Sequence, residues 1–405
     1  MIAARAALLA ALLGTSLQAF AQSRDAPALS SSSPTSPLGA AVTAYRAGDT
    51  AGAEATFRRL ATSDADAEAW LGVLLLDRGQ ARDGLQTLQR AQAAGSLEAS
   101  HQLGIAYAQG LAGLPRDPAR AAALFERAAS GGHRRAALNL GILYFRGQGV
   151  KHDLVQARAW LEKAAADDDP YALYTLARAM EESEGPALAD PIRAADLYRR
   201  AAEKGHPMAA LRYGLALAEG NGAKRDFAGA QHWLLVAYND GIPEAALAMG
   251  DITAHMPPSR DKAVNEQIVQ SAFAWYANAA SAGVASAQFK LANAYLGGAG
   301  TARDFAQATL WYGRAARQGL PDAQHALGLL LFSNQLGAAN PVEGMKWVLL
   351  AERAGYPDSR AAREKLAVGM TDADRQRAEA LAAAFTPLLE RPLADAPPPL
   401  VVPRP

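Results

Sequence analysis

Residues 137–165 read ALNLGILYFRGQGVKHDLVQARAWLEKAA, and the spacing of their apolar positions decides the fold class. Ala137, Leu140, Gly141 and Tyr144 recur at the three- and four-residue intervals of one helix face. Ala157, Trp160, Leu161, Ala164 and Ala165 do the same on a second helix. Between them Gly147 and Gly149 supply stop chemistry, and Asp153 is placed to cap the second helix. The stretch therefore predicts a helix hairpin with one sticky face on each member.

The same hairpin recurs along the chain. Aligning Leu103-Gly104, Leu140-Gly141, Leu176-Ala177, Tyr213-Gly214, Met249-Gly250, Leu291-Ala292 and Leu327-Gly328 gives separations of 37, 36, 37, 36, 42 and 36. An independent marker, Ala128, Ala164, Ala201, Ala237, Ala279, Ala315 and Ala351, gives 36, 37, 36, 42, 36 and 36. Two registers agreeing on one period indicate stacked repeats rather than a globular domain. Asp117-Pro118, Asp190-Pro191 and Asn340-Pro341 set a capping side chain before a proline at the first helical position. Pro170, Pro207, Pro243, Pro321 and Pro357 are read as opening first helices. A small residue at the Gly141 position lets the paired helix approach closely. The bulky partner expected opposite it is Trp160, Trp233, Trp275, Trp311 or Trp347, read as core.

These units resemble the Sel-one-like repeats (SLR), bacterial cousins of tetratricopeptide repeats. The family's pattern stands nearly complete in Leu140-Gly141, Tyr144, Gly147-Gln148-Gly149-Val150, Asp153, Ala157, Trp160-Leu161 and Ala164-Ala165. It stands almost as fully in Tyr295, Gly298, Gly300, Asp304, Ala308, Trp311-Tyr312 and Ala315-Ala316. The expected fold is all-α, a right-handed superhelical α-solenoid of TPR/SLR-type helix-turn-helix repeats. Seven repeats are assigned to 98–356, tetratricopeptide-like hairpins to 38–97, and capping helices to 357–391, the last opening at Thr371 with Asp374 and running to Leu389. The unit from Pro243 to Val284 carries six extra residues, and Met256-Pro257-Pro258 predicts a longer projecting loop.

The chain of 405 residues holds 40 basic and 40 acidic side chains without a run of one sign, which argues against nucleic acid as partner and against a polybasic membrane anchor. Arg5, the apolar run Ala6 to Leu13 and Ala19-Phe20-Ala21 read as a secretory signal over 1–21, implying export to the periplasm or beyond and no transmembrane segment after cleavage. Residues 22–37, rich in Ser and Pro, read as a flexible leader, and 392–405, with Pro397-Pro398-Pro399, as a proline-rich tail. Cysteine is absent, so disulfides, thiol catalysis and thiolate metal sites are excluded.

No residue set that breaks the repeat suggests chemistry, and the expectation is no catalytic residue, no cofactor and no metal. His133 and His206 share one turn phase after Gly132 and Gly205, with no His or carboxylate near at metal spacing in sequence. Asp167-Asp168-Asp169 reads as a helix-end turn and Glu181, Glu182 and Glu184 as a solvated face. The tetratricopeptide phase puts His101, Arg135, Phe145, Tyr171, Tyr174, Arg178, Phe289, Asn293 and His325 on the groove-facing side of first helices as partner-binding residues. The resemblance implies a non-catalytic periplasmic scaffold or adaptor binding envelope proteins or glycan, in exopolysaccharide secretion or envelope signalling. Open alternatives are an envelope enzyme or glycan- or peptidoglycan-binding protein, and a secreted effector binding host proteins.

Overall fold

The computed structural model describes residues 36–183, 189–333, 335, 339–388 and 390. The signal and tail assignments lie outside these residues, as do Glu184 and Leu389. Among the described residues there are α-helices and one short 3-10 turn but no strand, in two compact units that divide between Lys204 and Gly205.

The first unit consists of five helix hairpins. They are α1 (Pro37–Arg46) with α2 (Thr50–Leu60), α3 (Ala65–Asp77) with α4 (Ala81–Ala93), and α5 (Leu97–Gln109) with α6 (Pro118–Ser130). Then come α7 (Arg134–Arg146) with α8 (Leu154–Ala164), and α9 (Pro170–Glu182) with α10 (Pro191–Glu203). The second unit pairs α11 (Pro207–Glu219) with α12 (Phe227–Asn239), α13 (Glu244–Ala254) with α14 (Lys262–Ser281), α15 (Ala285–Gly297) with α16 (Phe305–Arg317), and α17 (Pro321–Phe332) with α18 (Pro341–Arg353). Two further helices, α19 (Ser359–Ala367) and α20 (Asp372–Ala383), pack on α18 and close that unit. Successive hairpins within a unit stack mainly by packing the second helix of one against the first helix of the next, the α-solenoid arrangement.

The opening stretch shows why the hairpin forms. Asp153 accepts from the amides of Val155 and Gln156 and so starts α8. Leu140 and Leu161 are almost wholly buried, and removing a leucine side chain from water is worth about 2–3 kcal/mol. At Gly141 an added Cβ would sit 2.7 Å from Leu161 Cγ and 3.2 Å from the Ala157 carbonyl, so the close approach of α7 and α8 needs glycine there. Gly149 has φ +72°, and a Cβ on it would meet the Pro118 carbonyl group at 2.2 Å; the turn thus rests on the N-terminus of α6 in the preceding hairpin.

Several expectations are corrected. The side chain facing Gly141 is Leu161, not Trp160, and the same holds for Leu234 at Gly214, Tyr276 at Gly250 and Val348 at Gly328. Of the five tryptophans at this repeat phase only Trp347 is fully buried; the other four are half-buried one position to the side, as where Trp275 meets Tyr238 of the preceding second helix at 5.6 Å. The six-residue insertion does not project as a loop. Residues 255–261 make a connection as long as 147–153, and the extra length goes into α14, which has 20 residues where α12 has 13. Asp261 caps this longer helix through the amide of Ala263, so α14 begins soon after the prolines.

At the ends, Ser36 caps α1 and Pro37 is its first residue, so the assigned leader runs two residues too far. Pro243 is a cap position rather than the first residue of α13, and Pro357 precedes α19, which starts at Ser359. Thr371 caps α20 through the Asp374 amide as expected, but the helix ends at Ala383 rather than Leu389. Pro387 cannot continue a helix, and the residue before a proline is pushed to extended backbone.

Candidate interaction surfaces and a buried acid–histidine cluster

The first helices of the repeats start at equivalent caps: Ser96, His133, Asp169 and His206, all buried. A histidine can cap because Nδ1 accepts an amide hydrogen bond, from Ala136 at 3.1 Å for His133 and from Ala209 at 3.2 Å for His206. Once Nδ1 is an acceptor, the neutral ring carries its proton on Nε2. In His133 that Nε2 points at Glu98 Oε2, 3.2 Å away.

His133 is therefore more than a turn residue: the structure brings to it the carboxylate and the second histidine that its sequence neighbourhood lacks. Glu98, on the first turn of α5, also accepts from the Gln102 amide at 2.7 Å. The His101 ring stacks on His133 with centroids 4.5 Å apart, and its Nδ1 lies 3.7 Å from Glu98 Oε1. The Asn139 amide closes the other side, 3.2 Å from His101 Nε2. Burial alone would raise the Glu98 pKa, but the two adjacent histidines, His133 by its hydrogen bond and His101 by proximity, outweigh it and hold the group well below the usual carboxylate range. Burial, followed by the neighbouring His133, lowers His101 to about 4. The state that results is an anionic Glu98 beside a neutral His101.

Donor atoms of Glu98, His101 and His133 lie within 4.8 Å of one another, a spacing a metal ion could use. The tautomers do not suit one. A metal on His133 Nε2 needs the lone pair there and hence a proton on Nδ1, which would break the cap on α7. The arrangement is a hydrogen-bonded joint between repeats, closed to substrate by its burial.

The nine groove residues fall out differently. His101 is buried in that joint against Phe125 and is not a surface residue. The residue two before the aligned leucine also packs inside the hairpin in Tyr174, on Tyr198 at 5.8 Å, and in Phe289, on Tyr312 at 5.7 Å. His325 stacks on Tyr356 at 4.7 Å and meets the buried Ser359 hydroxyl at 2.9 Å, so it joins α17 to α19. The phase rule failed here because a single helix position can face both its partner helix and the groove. Arg135, Phe145 and Tyr171 are half-buried, while Asn293 is exposed and accepts from the Tyr312 hydroxyl. Arg178 is paired with Glu182 through Nε at 2.9 Å and lies over the Tyr174 ring. Glu181 accepts from the Tyr198 hydroxyl at 2.7 Å, so these acids are partnered rather than simply solvated.

The sequence profile of the Sel1 repeat matches residues 97–133, 134–169, 170–206, 207–242, 244–284, 285–320 and 321–356. The chain belongs to the Sel1 repeat family. Sel1 repeats are generally non-catalytic and imply a scaffold for protein–protein interaction. Over 87% of its length the chain is similar to a protective antigen of uropathogenic Escherichia coli strains displaying an SLR fold, at 25% identity and a TM-score of 0.69, with 76% of that protein covered. A Sel1 repeat protein from Oxalobacter formigenes matches 84% of the chain over 96% of its own, at 27% identity and a TM-score of 0.60. The ERAD-associated E3 ubiquitin-protein ligase component HRD3B of Arabidopsis thaliana is 37% identical over 100 residues, 24% of this chain and 15% of that relative.

Within the second unit the Sel1 first helices α11 and α13 flank an open surface cleft of about 470 Å³. Leu211, Leu215, Leu247 and Ile252 form its apolar walls, and Glu219, Glu244 and Asp251 its acidic rim. Asp251 is fixed by the Tyr276 hydroxyl at 2.8 Å and the Lys290 ammonium at 2.7 Å. Apolar walls with a polar rim are the composition of a protein-binding patch. The position of this cleft was not read from the sequence, because leucines there are indistinguishable from core leucines of the same helices.

Proposed function

We propose that this protein is a non-catalytic protein-interaction scaffold of the bacterial periplasm, gripping partner proteins with the first-helix surfaces of its Sel1 repeats. The observation that carries the reading is the α11–α13 cleft, an apolar trough with acids on its rim in a repeat whose other chemistry is consumed by caps and packing. Its charge suits a partner segment with apolar side chains flanked by Lys or Arg. Export rests on Arg5, the apolar run to Leu13 and the small residues Ala19 and Ala21. Exopolysaccharide secretion and envelope signalling are the pathways the family resemblance suggests for such a scaffold.

The test is crosslinked capture of the tagged chain from envelope extract, beside a Leu215→Glu/Leu247→Glu variant and a Tyr171→Ala/Tyr174→Ala/Arg178→Ala variant. One set of envelope proteins recovered by the native chain and lost from a folded variant supports the scaffold. Equal recovery by all three removes both surfaces from consideration. Fractionation of the tagged chain tests the compartment, and retention in the cytoplasm overturns export.

A further inference from the structure

Beyond α20, the described residues 385–388 and 390 lie against the fold. Phe385 packs edge-on against the buried Trp347 at 5.4 Å, Pro387 lies over Gly319, and the Leu388 amide donates to the Arg317 carbonyl at 3.0 Å. The segment thus runs backwards along the second unit, from α18 to the end of α16. It ends in a polar pocket, where Glu390 Oε1 accepts from Arg314 Nε at 2.6 Å and Oε2 accepts from the amides of Gln288 and Gln318.

Among the described arginines at this repeat phase, Arg314 is the most buried. Earlier repeats carry Arg127 and Lys163 at the phase of Arg314, both exposed, whereas Arg314 is 9% exposed and stacked over Trp311. At the phase of Gln288, which is fully buried, Ala137, Ala210 and Ala246 stand in earlier repeats, while Gln324 repeats it in the next, buried and donating in the same way to the Ala316 carbonyl at 3.2 Å. Gln288 is braced by the Ala280 carbonyl at 3.2 Å and by Gln318 at 3.0 Å, so its amide is aimed before the carboxylate arrives. Yet the resident fits incompletely. Arg314 Nη2 is buried without a hydrogen-bond partner, although a guanidinium can hold a carboxylate through two parallel bonds. Leu388 remains 68% exposed, and Thr386 and Pro387 are exposed as well. A segment held by an aromatic anchor, one backbone bond and one carboxylate is built like a docked linear peptide rather than like a core strand.

We propose that the trough under residues 385–390 is a peptide-binding site for a partner segment carrying an aromatic side chain five residues ahead of a carboxylate, with the chain's own segment as resident competitor. A partner carboxylate that engages both Nε and Nη2 of Arg314 displaces Glu390, and Trp347 receives the partner's ring. The proposal deepens the scaffold reading, and its test needs no natural partner, so it can fail while the α11–α13 cleft stands.

The test measures binding of a fluorescein-labelled peptide AFTPLLE, residues 384–390, to the full chain by polarisation. The native chain binds it weakly because the site is filled, and a Phe385→Ala/Glu390→Gln variant binds it at least about tenfold more tightly, since apparent affinity scales with the open fraction. Adding Arg314→Leu to that variant, or changing the peptide's glutamate to glutamine, reverses the gain. No gain in the opened variant, or equal binding of the glutamine peptide, overturns the proposal. Circular dichroism checks that the opened variant keeps its helix content; should it not, Glu390→Gln alone decides by the same comparison.

Discussion

His133 Nε2 lies 3.2 Å from Glu98 Oε2, which ties the cap of α7 to the first turn of α5 through a proton donated to a buried carboxylate. The same ring caps α7 through Nδ1, so one side chain satisfies an orphan helix amide and a buried charge. His133→Ala removes both bonds and is expected to cost about 2–4 kcal/mol, from roughly 1 for the cap and the rest for a carboxylate left short of a donor. His133→Ser, which places there the residue found at Ser96, keeps the cap and loses about half as much. Zinc added to the native chain leaves the melting temperature unchanged; a zinc-dependent rise would show that the ring can give up its cap to a metal.

His206 repeats the cap, and burial lowers its pKa to about 4. The unfolded ring titrates near 6.5, so below that pH the unfolded chain binds the proton that the folded chain refuses. Stability is complete above about pH 6.5 and declines as the pH falls toward 4, by up to about 3 kcal/mol for this one group. His206→Ser flattens that part of the curve, read as melting temperature against pH by circular dichroism. An unchanged acid limb in the variant rules out the assignment.

Gly141→Ala sets a Cβ against Leu161 Cγ and is expected to cost about 1–3 kcal/mol through overpacking. Leu161→Ala alone leaves a cavity and costs about 2–5 kcal/mol. If the two helices meet as described, the double variant is more stable than the sum of the singles implies, and a thermal double-mutant cycle measures the difference.

Charging the α11–α13 cleft with Leu215→Glu and Leu247→Glu is expected to abolish partner capture while helix content stays within a few per cent of native. Capture by the native chain should also weaken as salt is raised, because the acids on the rim face exposed charges on the partner. Salt-independent capture would put the binding surface elsewhere.

The fold was legible because a repeat writes the same packing problem seven times. The leucine–glycine register, the alanine register and the Asp and Asn caps each report local geometry, and a hairpin needs little else. The insertion near Pro257 was legible in length but not in placement. Whether extra residues lengthen a loop or a helix depends on where the next cap forms, and Asp261 captures an amide early. The tryptophan assignment slipped by one residue, since helix periodicity marks a face some 100° wide and does not say which of two neighbours lies under the glycine.

What the sequence determined by itself is the period, the helical class, the caps and the family, all set by contacts within one unit or with its neighbour. Tertiary structure alone decided which histidine meets Glu98, that α11 and α13 leave a cleft between them, and that Glu390 returns 76 residues to Arg314. These meetings turn on which side chains stand at particular positions of single repeats, so the period by itself does not announce them. They form because a buried charge must find donors, and only the folded stack fixes which donors are within reach.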